Sequence, residues 1–519
     1  MPRWHSWIAR PPPKGQVRGS NPLRGTRKVH KRLKLFELIQ VNDLASLAKI
    51  IDGNLIGENK QFKYLTTDSR NVSKNSLFLA LRGEKYNGHH FCESALEAGA
   101  EAYISTDEII NHTGIVVKDT YQALLKMARH QQQQVNPKTL AITGSNGKTT
   151  LKEMVAHILV DKKSIKTKDN ENNQFGIPFT VLRLKADTKF LVLECGARKV
   201  GDFDLISEYL NFDVLTITNI NNSHIGIFGN QANIIETKMK LLDGVAADGS
   251  FIDGAFEDWS KSTKLMGMSQ TFGVKVHRNL QRDSVAKPLT EDWSCKIVSG
   301  QEEGNVPGYF SLSFQQTSNS SSRHFQSPKK INLGPRHNCH NALMAVLAAR
   351  ELGVKFSESM ERICEFDSPL PNRYGIEHIG KHVLINDTYN ANPDSFASAI
   401  NDLATNCSYP KNKLLIMGDM LELGQYSETE HAKILEQALG LDGLKAIFLK
   451  GEKFQNFIPS AKQKDHESQF DQVYTLQETE DFPVALLSDL LDEKSVILVK
   501  GSRKMNMEQF VDLLRNNLL

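Results

Sequence analysis

TLAITGSNGKTT, residues Thr139 to Thr150, changes local character three times in one short stretch. Thr139 to Thr143 is apolar and β-prone, Gly144, Ser145, Asn146 and Gly147 make a small-residue turn, and from Lys148 onward Leu151, Met154, Val155, Ile158 and Leu159 fall at helical spacing. The stretch therefore predicts a strand, a phosphate loop and a helix. Backbone N–H groups of such a turn converge on phosphate oxygens, and the helix N-terminus adds positive dipole. In this arrangement Lys148 reaches the β- and γ-phosphates of ATP, Thr149 ligates Mg²⁺, and Thr150 completes the stretch expected to bind the nucleotide. The common phosphate loop has a glycine where this chain has Ile142, so the loop is a variant. A bare tight turn before a buried helix would leave the adjacent Lys-Thr-Thr without a reason.

The size of the chain bounds what surrounds that loop. Its 519 residues give room for about three domains at ~150 residues each. A composition 40% hydrophobic and 24% charged is that of an ordinary globular protein. The longest clean apolar run, Ala342 to Ala349, ends at Arg350, far short of the ~20 residues that span a bilayer, so no membrane partner is expected. Cys92, Cys195, Cys295, Cys339, Cys364 and Cys407 show no metal-type spacing, which predicts reduced thiols in a cytoplasmic protein, with neither disulfide nor zinc. The net charge of +3 arises from residues 1–32, which hold nine of the 63 Lys and Arg and no acid. The remainder is mildly acidic and offers no nucleic-acid surface. The leader itself reads as a disordered basic extension or an upstream start-site artefact, with an organellar transit peptide as the alternative.

Residues 33–136 form a first domain. Its segment Thr66 to Phe91 places Asp68-Ser69-Arg70 before an apolar strand at Leu77 to Leu81, followed by a basic loop with Arg82, Lys85, Gly88 and His89. Arginines and a lysine near turns suit a diphosphate, although from spacing alone a solvated charged loop is the better reading. The polar run His130 to Gln134 reads as a linker into the second domain, residues 137–368. There, alternating strands and helices predict a parallel sheet. The amide-rich loop Asn170 to Pro178, with Asn170 and Asn173, suits neutral polar recognition. Phe190 to Gly196 is a buried strand ending in Glu194, where a Mg²⁺-holding acid belongs. Asp213 to Thr218 is a further strand that leads to His224, either a metal or phosphate-site residue or a satisfied loop histidine. The helix beginning near Gln231 carries Lys238, which by itself reads as a surface lysine. Asn338 and Asn341, three apart at a helix start, share one face and suit a purine edge, with plain capping by Asn338 as the alternative. Residues 282–330, with a strand at Tyr309 to Phe314, carry no evident chemistry.

The third domain, residues 369–519, opens after Pro369-Leu370-Pro371. Strands at His382 to Ile385, Lys413 to Met417, Ala446 to Leu449 and Val496 to Val499 predict a Rossmann-like parallel sheet without a dinucleotide fingerprint. The loops after these strands hold Asp387 to Pro393, Gly418-Asp419-Met420 and Lys500 to Arg503, and carboxyl ends of parallel strands are where ligands bind.

These motifs together resemble the Mur ligase family. Shared across it are T-G-S-N-G-K-T-T, Glu194, His224, Lys238, H-N-x-x-N, Arg373 and Asp387. D-T-Y-N-A-N-P, G-D-M-L-E-L-G, K-G-S-R and the D-S-R loop resemble the branch that adds a dipeptide. The resemblance implies an α/β, three-domain architecture with a central P-loop parallel-sheet ATPase domain and a C-terminal Rossmann-like domain. It implies an ATP- and Mg²⁺-dependent ligase, expected to be monomeric, that joins D-alanyl-D-alanine to UDP-N-acetylmuramoyl-tripeptide through an acyl phosphate in cytoplasmic peptidoglycan synthesis. A folylpolyglutamate synthetase-like or other amino-acid ligase is the alternative. Residue by residue, it implies that Asp68, Ser69, Arg70, Gly88 and His89 serve the UDP substrate, with Asn170 and Asn173 near it. Arg373 reaches the phosphates, Asp387 the ribose, and Asn338 or Asn341 the adenine. Tyr389, Asn390, Asn392 and Ser395 lie near the dipeptide. Thr149, Glu194, His224 and a carbamylated Lys238 hold Mg²⁺, and Lys148, Glu194, His224, Lys238 and Arg373 form the catalytic set.

Overall fold

The computed structural model describes residues 35–518 except 84–85, 256–270, 279–288, 299–308, 319–320, 330, 334, 336–337, 367–369, 371, 406–408, 458–471 and 492. The leader at residues 1–32, Lys85, His337, Pro369, Pro371 and parts of 282–330 lie outside the described residues. The chain forms two compact units.

The first unit holds the described residues up to Pro137 together with Lys168–Glu171 and Phe175–Leu191. Its strands are β1 (Asn54–Ile56), β2 (Tyr64–Thr66), β3 (Ser76–Leu79), β4 (Ala102–Ser105) and β5 (Gly114–Val116). They lie in the order β1-β5-β4-β3-β2, antiparallel between β1 and β5 and parallel elsewhere. Because side chains alternate across a strand, Leu77 and Leu79 pack with Leu44, Leu47, Leu124 and Met127 while Phe78 joins Cys92, Ala95 and Tyr103 on the other face. Both faces are apolar, which is why β3 reads as one continuous hydrophobic run. The polar run His130 to Gln134 is not a linker, since it completes the helix Thr120–Val135. Gln131 is fully buried there because three backbone groups satisfy its amide: it donates to Glu37 and Leu184 carbonyls and accepts from the Ile39 N–H. The helix stops at Asn136, in the left-handed conformation just before Pro137.

The second unit contains Lys138–Thr167, Asn172–Gln174 and Val192 onward. Its first sheet has β6 (Lys138–Thr143), β7 (Ser164–Lys166), β8 (Phe190–Glu194), β9 (Phe212–Ile217), β10 (Val245–Asp253), β11 (Thr271–Arg278), β12 (Leu289–Val298), β13 (Tyr309–Ser318), β14 (Ser321–Gln326) and β15 (Ile331–Asn332). The order is β14-β13-β12-β11-β10-β9-β6-β8-β7, with β15 on β13. β6, β9 and β10 run parallel, but from β10 to β14 every pairing is antiparallel, so the expectation of a parallel sheet fails for that half. The composition explains the change. In β13, buried Leu312 and Phe314 alternate with part-exposed Ser313 and Gln315, a pattern suited to a sheet with one wet face, whereas β6 is buried on both. The helix Asn338–Glu351 is apolar on all sides from Ala342 to Ala349 and buried through Ala349, and it packs against the helix Lys148–Ile158 that follows the phosphate loop.

The other sheet of this unit has β16 (Gly375–Ile379), β17 (His382–Asp387), β18 (Asn412–Gly418), β19 (Leu444–Lys450), β20 (Val473–Leu476) and β21 (Ser495–Lys500), in the order β16-β17-β21-β18-β19-β20. All pairings are parallel except β16 with β17. Leu415, Met417 and Leu498 face one core with Phe396 and Ile434, while Leu414, Ile416 and Val499 face another with Phe448 and Phe510. The four strands expected from apolar runs are the inner ones, and β16 and β20 close the edges.

Candidate active site

The phosphate loop joins β6 to the helix Lys148–Ile158. Gly144 (φ +142°) and Gly147 (φ +80°) occupy backbone conformations that side chains rarely adopt. Space also requires glycine at both: a Cβ on Gly144 would lie 1.9 Å from Thr218 Oγ1, and one on Gly147 would lie 2.8 Å from Asn341 Oδ1. The end of β9 braces the loop. Ser145 N–H donates to Asn219 O, Asn146 N–H donates to Asn219 Oδ1, Thr218 Oγ1 donates to Asn146 O, and Ser145 Oγ bonds the Asn221 backbone. Lys148 curls back, its ammonium donating to Gly144 O at 2.7 Å and Ser145 O at 3.2 Å. Burial holds its pKa below the usual lysine range; Glu194 opposes this shift, and the positive charge of Arg373 adds to it. Thr150 is partly exposed on the helix.

Glu194 ends β8 with its side chain buried. Oε1 accepts from Thr149 Oγ1 at 3.0 Å and from Asn172 Nδ2 at 2.8 Å. Oε2 is buried without a hydrogen-bond partner among the described residues, while the Lys152 ammonium stands 3.3 Å from it. A carboxylate with one oxygen outside any hydrogen bond, beside a hydroxyl, supplies the hard oxygen ligands that Mg²⁺ prefers, so these residues fit that ion. No group of three or more His, Cys, Asp or Glu among the described residues is placed to hold a metal, which leaves water and phosphate oxygens for the other positions. Sequence reasoning does not find Asn172 or Lys152. Asn172 is hidden among neighbouring amide and acid residues, and nothing in the sequence distinguishes Lys152 from any other helix lysine.

His224, at φ +59°, precedes the short helix Ile225–Phe228. Its Nδ1 lies 2.5 Å from Glu422 Oε2 in the G-D-M-L-E-L-G loop, and that hydrogen bond holds the Glu422 carboxyl below its usual range. Only Nε2 is left for a metal or phosphate, and a carboxylate on the other nitrogen is the usual means of aiming a ligating imidazole. The two loops meet backbone to backbone: Gly226 N–H donates to Glu422 O, and a Cβ on Gly226 would lie 2.5 Å from Gly424 N. Lys238 is not the surface lysine that its spacing implies. It is 3% exposed, and its ammonium donates to Gly144 O at 3.2 Å. Burial, and then the charge of Lys148, push its pKa down to about 7.

The loops of the third sheet carry the remaining candidates of this unit. The Arg373 guanidinium stacks 3.6 Å above the Tyr389 ring. Asp387 accepts from Lys500 Nζ at 2.5 Å and from Tyr374 N–H at 3.2 Å, so both its oxygens already have partners. Lys500, 1% exposed, also donates to Asn390 O. Asn390 Oδ1 accepts from the Arg503 N–H. Asn392 caps the helix Pro393–Thr405 through Ser395: Ser395 N–H donates to Asn392 Oδ1, and Asn392 N–H donates to Ser395 Oγ. Asn338 and Asn341 bond each other at 2.8 Å, and Asn338 also donates to Leu333 O, so neither amide is wholly uncommitted.

In the first unit Asp68 caps the turn Ser69–Asn71 and grips Arg70 with two bonds, at 2.8 and 2.7 Å. The D-S-R loop is thus closed on itself. Gly88 is set by space, since a Cβ there would lie 2.5 Å from Leu81 O. His89 uses Nδ1 on Asn87 Oδ1 and Nε2 on the Thr106 N–H, and burial holds its pKa below the ordinary imidazole value. Asn170 is exposed, and Asn173, which belongs to the second unit, is half-buried.

Comparison with known proteins matches three domain families in chain order: the Mur ligase family catalytic domain at residues 61–141, the Mur ligase middle domain at 142–349, and the Mur ligase glutamate ligase domain at 376–503. The UDP-N-acetylmuramoyl-tripeptide--D-alanyl-D-alanine ligase of Bacillus subtilis is 30% identical over 484 residues, covering 91% of this chain and 98% of that protein. The enzyme of the same name from Haemophilus influenzae is 30% identical over 488 residues, with the same coverage of each. A crystal structure of MurF from Acinetobacter baumannii superposes with a TM-score of 0.72 at 25% identity, covering 92% of this chain and 100% of that one. With this phosphate loop at its centre and matches along nearly its whole length, the chain belongs to the Mur ligase family.

Proposed function

We infer that this chain uses ATP to join D-alanyl-D-alanine to the tripeptide carboxylate of UDP-N-acetylmuramoyl-tripeptide. Relatives 30% identical along 98% of their own lengths are named for that reaction. The observation that carries the reading to residues is the pairing of Thr149 with Glu194 directly beside the Gly144–Gly147 loop.

A carboxylate is a poor acyl donor. Transfer of the γ-phosphoryl group to it gives an acyl phosphate, the dipeptide amine attacks the acyl carbon, and phosphate leaves. Lys148 and Arg373 neutralise the charge on the transferred group, which is the largest demand that phosphoryl transfer makes of a protein. Thr149 and Glu194 would hold Mg²⁺, and His224 through Nε2 and a carbamylated Lys238 would serve a second ion. When bound, the metal neutralises phosphate oxygens and orients them. Asn338 and Asn341 border the adenine, Asp387 the ribose, and Asn390, Asn392 and Ser395 the incoming dipeptide. Asp68, Ser69, Arg70, Gly88 and His89 serve the UDP moiety, with Asn170 and Asn173 nearby.

The test is phosphate release by the purified protein with ATP, Mg²⁺, D-alanyl-D-alanine and UDP-muramoyl-tripeptides carrying either diaminopimelate or lysine. Phosphate equimolar with a new amide product is expected. Turnover only with folate and glutamate would overturn the reading.

A further inference from the structure

The turn that carries Arg373 is fixed from both sides. Asn372 (φ +61°) and Tyr374 (φ +57°) both sit in the left-handed region, which persists in non-glycine residues only where surroundings over-determine it. Here they do. Asn372 O accepts from Tyr389 N–H at 2.8 Å, Asn372 Oδ1 accepts from Asn386 Nδ2 at 3.1 Å, and Tyr374 donates its hydroxyl to buried Asp402 at 2.6 Å and its N–H to Asp387. The Arg373 side chain has no such bonds. Among the described residues it has no ion pair and donates no hydrogen bond, and its one described contact is the Tyr389 ring. A guanidinium with every donor uncommitted would sample many rotamers, at a cost of up to ~2 kcal/mol of side-chain entropy when it is finally immobilised.

The geometry points to Tyr389 as a positioning residue: its ring is the platform on which the Arg373 guanidinium is laid flat, so that the donor edge stays open for an anion. Tyr389 then acts through Arg373, and its hydroxyl, which has no partner among the described residues, does not read the dipeptide. This rests on the phosphoryl-transfer role given to Arg373 above. A planar cation on an aromatic face keeps its in-plane N–H groups free, which a carboxylate partner would not allow. The backbone beneath the ring is anchored, because the Tyr389 N–H donates to the carbonyl of Asn372, the residue next to the arginine.

A double-mutant cycle tests this. Tyr389→Leu removes the π face and should lower kcat by about tenfold, the scale of a desolvated cation–π contact. Tyr389→Phe, which keeps the face and drops the hydroxyl, should restore most of that loss. In an Arg373→Ala background, Tyr389→Leu should cost almost nothing further. Impairment of Tyr389→Phe equal to that of Tyr389→Leu, with a raised KM for the dipeptide, would make the hydroxyl a substrate contact and overturn the platform. An undiminished cost of Tyr389→Leu without Arg373 would do the same. The cycle is also read on ADP affinity, so that it still discriminates if the wild-type protein fails to turn over the dipeptide. Melting curves of Tyr389→Leu separate it from a folding defect.

Discussion

The side-chain amides of Asn146 and Asn392 face each other. Asn392 Nδ2 donates to Asn146 Oδ1 at 2.7 Å, and the reverse contact is 3.4 Å. One residue lies in the phosphate loop and the other caps the helix that follows β17, so a neutral pair ties the nucleotide loop to the loop assigned to the dipeptide.

Removing one partner should therefore affect turnover more than folding. A neutral bond is worth about 1 kcal/mol to stability, so Asn146→Ala, which leaves the Asn392 helix cap in place, should shift the melting temperature by ~2–4 °C. Its kcat/KM should fall by about tenfold or more, as displacement of a positioned group does. Equal losses in a melting curve and in kinetics would mean that the pair is structural only.

Lys148→Ala removes the ammonium that the phosphate loop itself contributes. Turnover should fall by about a hundredfold or more, the scale of losing a single electrostatic stabiliser. Near-normal phosphate release in this variant would remove the loop from the reaction.

Gly226→Ala probes the contact between the His224 and Glu422 loops. The added Cβ would sit 2.5 Å from Gly424 N, and backbone cannot swing aside as a side-chain tip can. Overpacking of this kind costs ~1–3 kcal/mol, to be read from a denaturation midpoint. Gly229→Ala is the control for crowding, since a Cβ there meets nothing within 4 Å, although its φ of +82° carries a separate backbone strain.

Lys238 yields a pH-dependent expectation. Carbon dioxide reacts only with the neutral amine, and a pKa pushed down to about 7 makes that form abundant near neutrality. The sign follows directly: as pH rises through 7 the neutral fraction grows, so activity that depends on the carbamate should rise with pH and with added bicarbonate. Lys238→Ala should lose most activity and regain part of it with a short carboxylic acid that supplies the missing oxygens. Wild-type turnover in Lys238→Ala would exclude the modification.

The fold is legible in the sequence wherever one local pattern dominates. The inner strands of the third sheet, such as Val496 to Val499, are buried on both faces and so read as unbroken apolar runs. β11, β12 and β14 escape because alternation dilutes their hydrophobicity, and of β13 only Tyr309 to Phe314 is legible. Gln131 misleads because polarity suggests exposure, whereas its amide is met by three backbone groups from distant parts of the chain. In the site, Lys148, Thr149 and Glu194 follow from motif chemistry. Glu422 does not, because its partner His224 lies 198 residues away and no spacing records that pairing. Lys238 is recognisable only through resemblance, since burial of a helix lysine leaves no mark on its neighbours.

The self-bonded phosphate loop has a calorimetric consequence. Lys148 rests on the carbonyls of Gly144 and Ser145, neutral acceptors that it can exchange for phosphate oxygens with no ion pair to break first. The loop's order is thus set before any nucleotide arrives, held by Thr218, Asn219 and Asn221. Titration with a nucleotide should then release heat from charge-assisted bonds without the large opposing entropy of a loop that folds on binding.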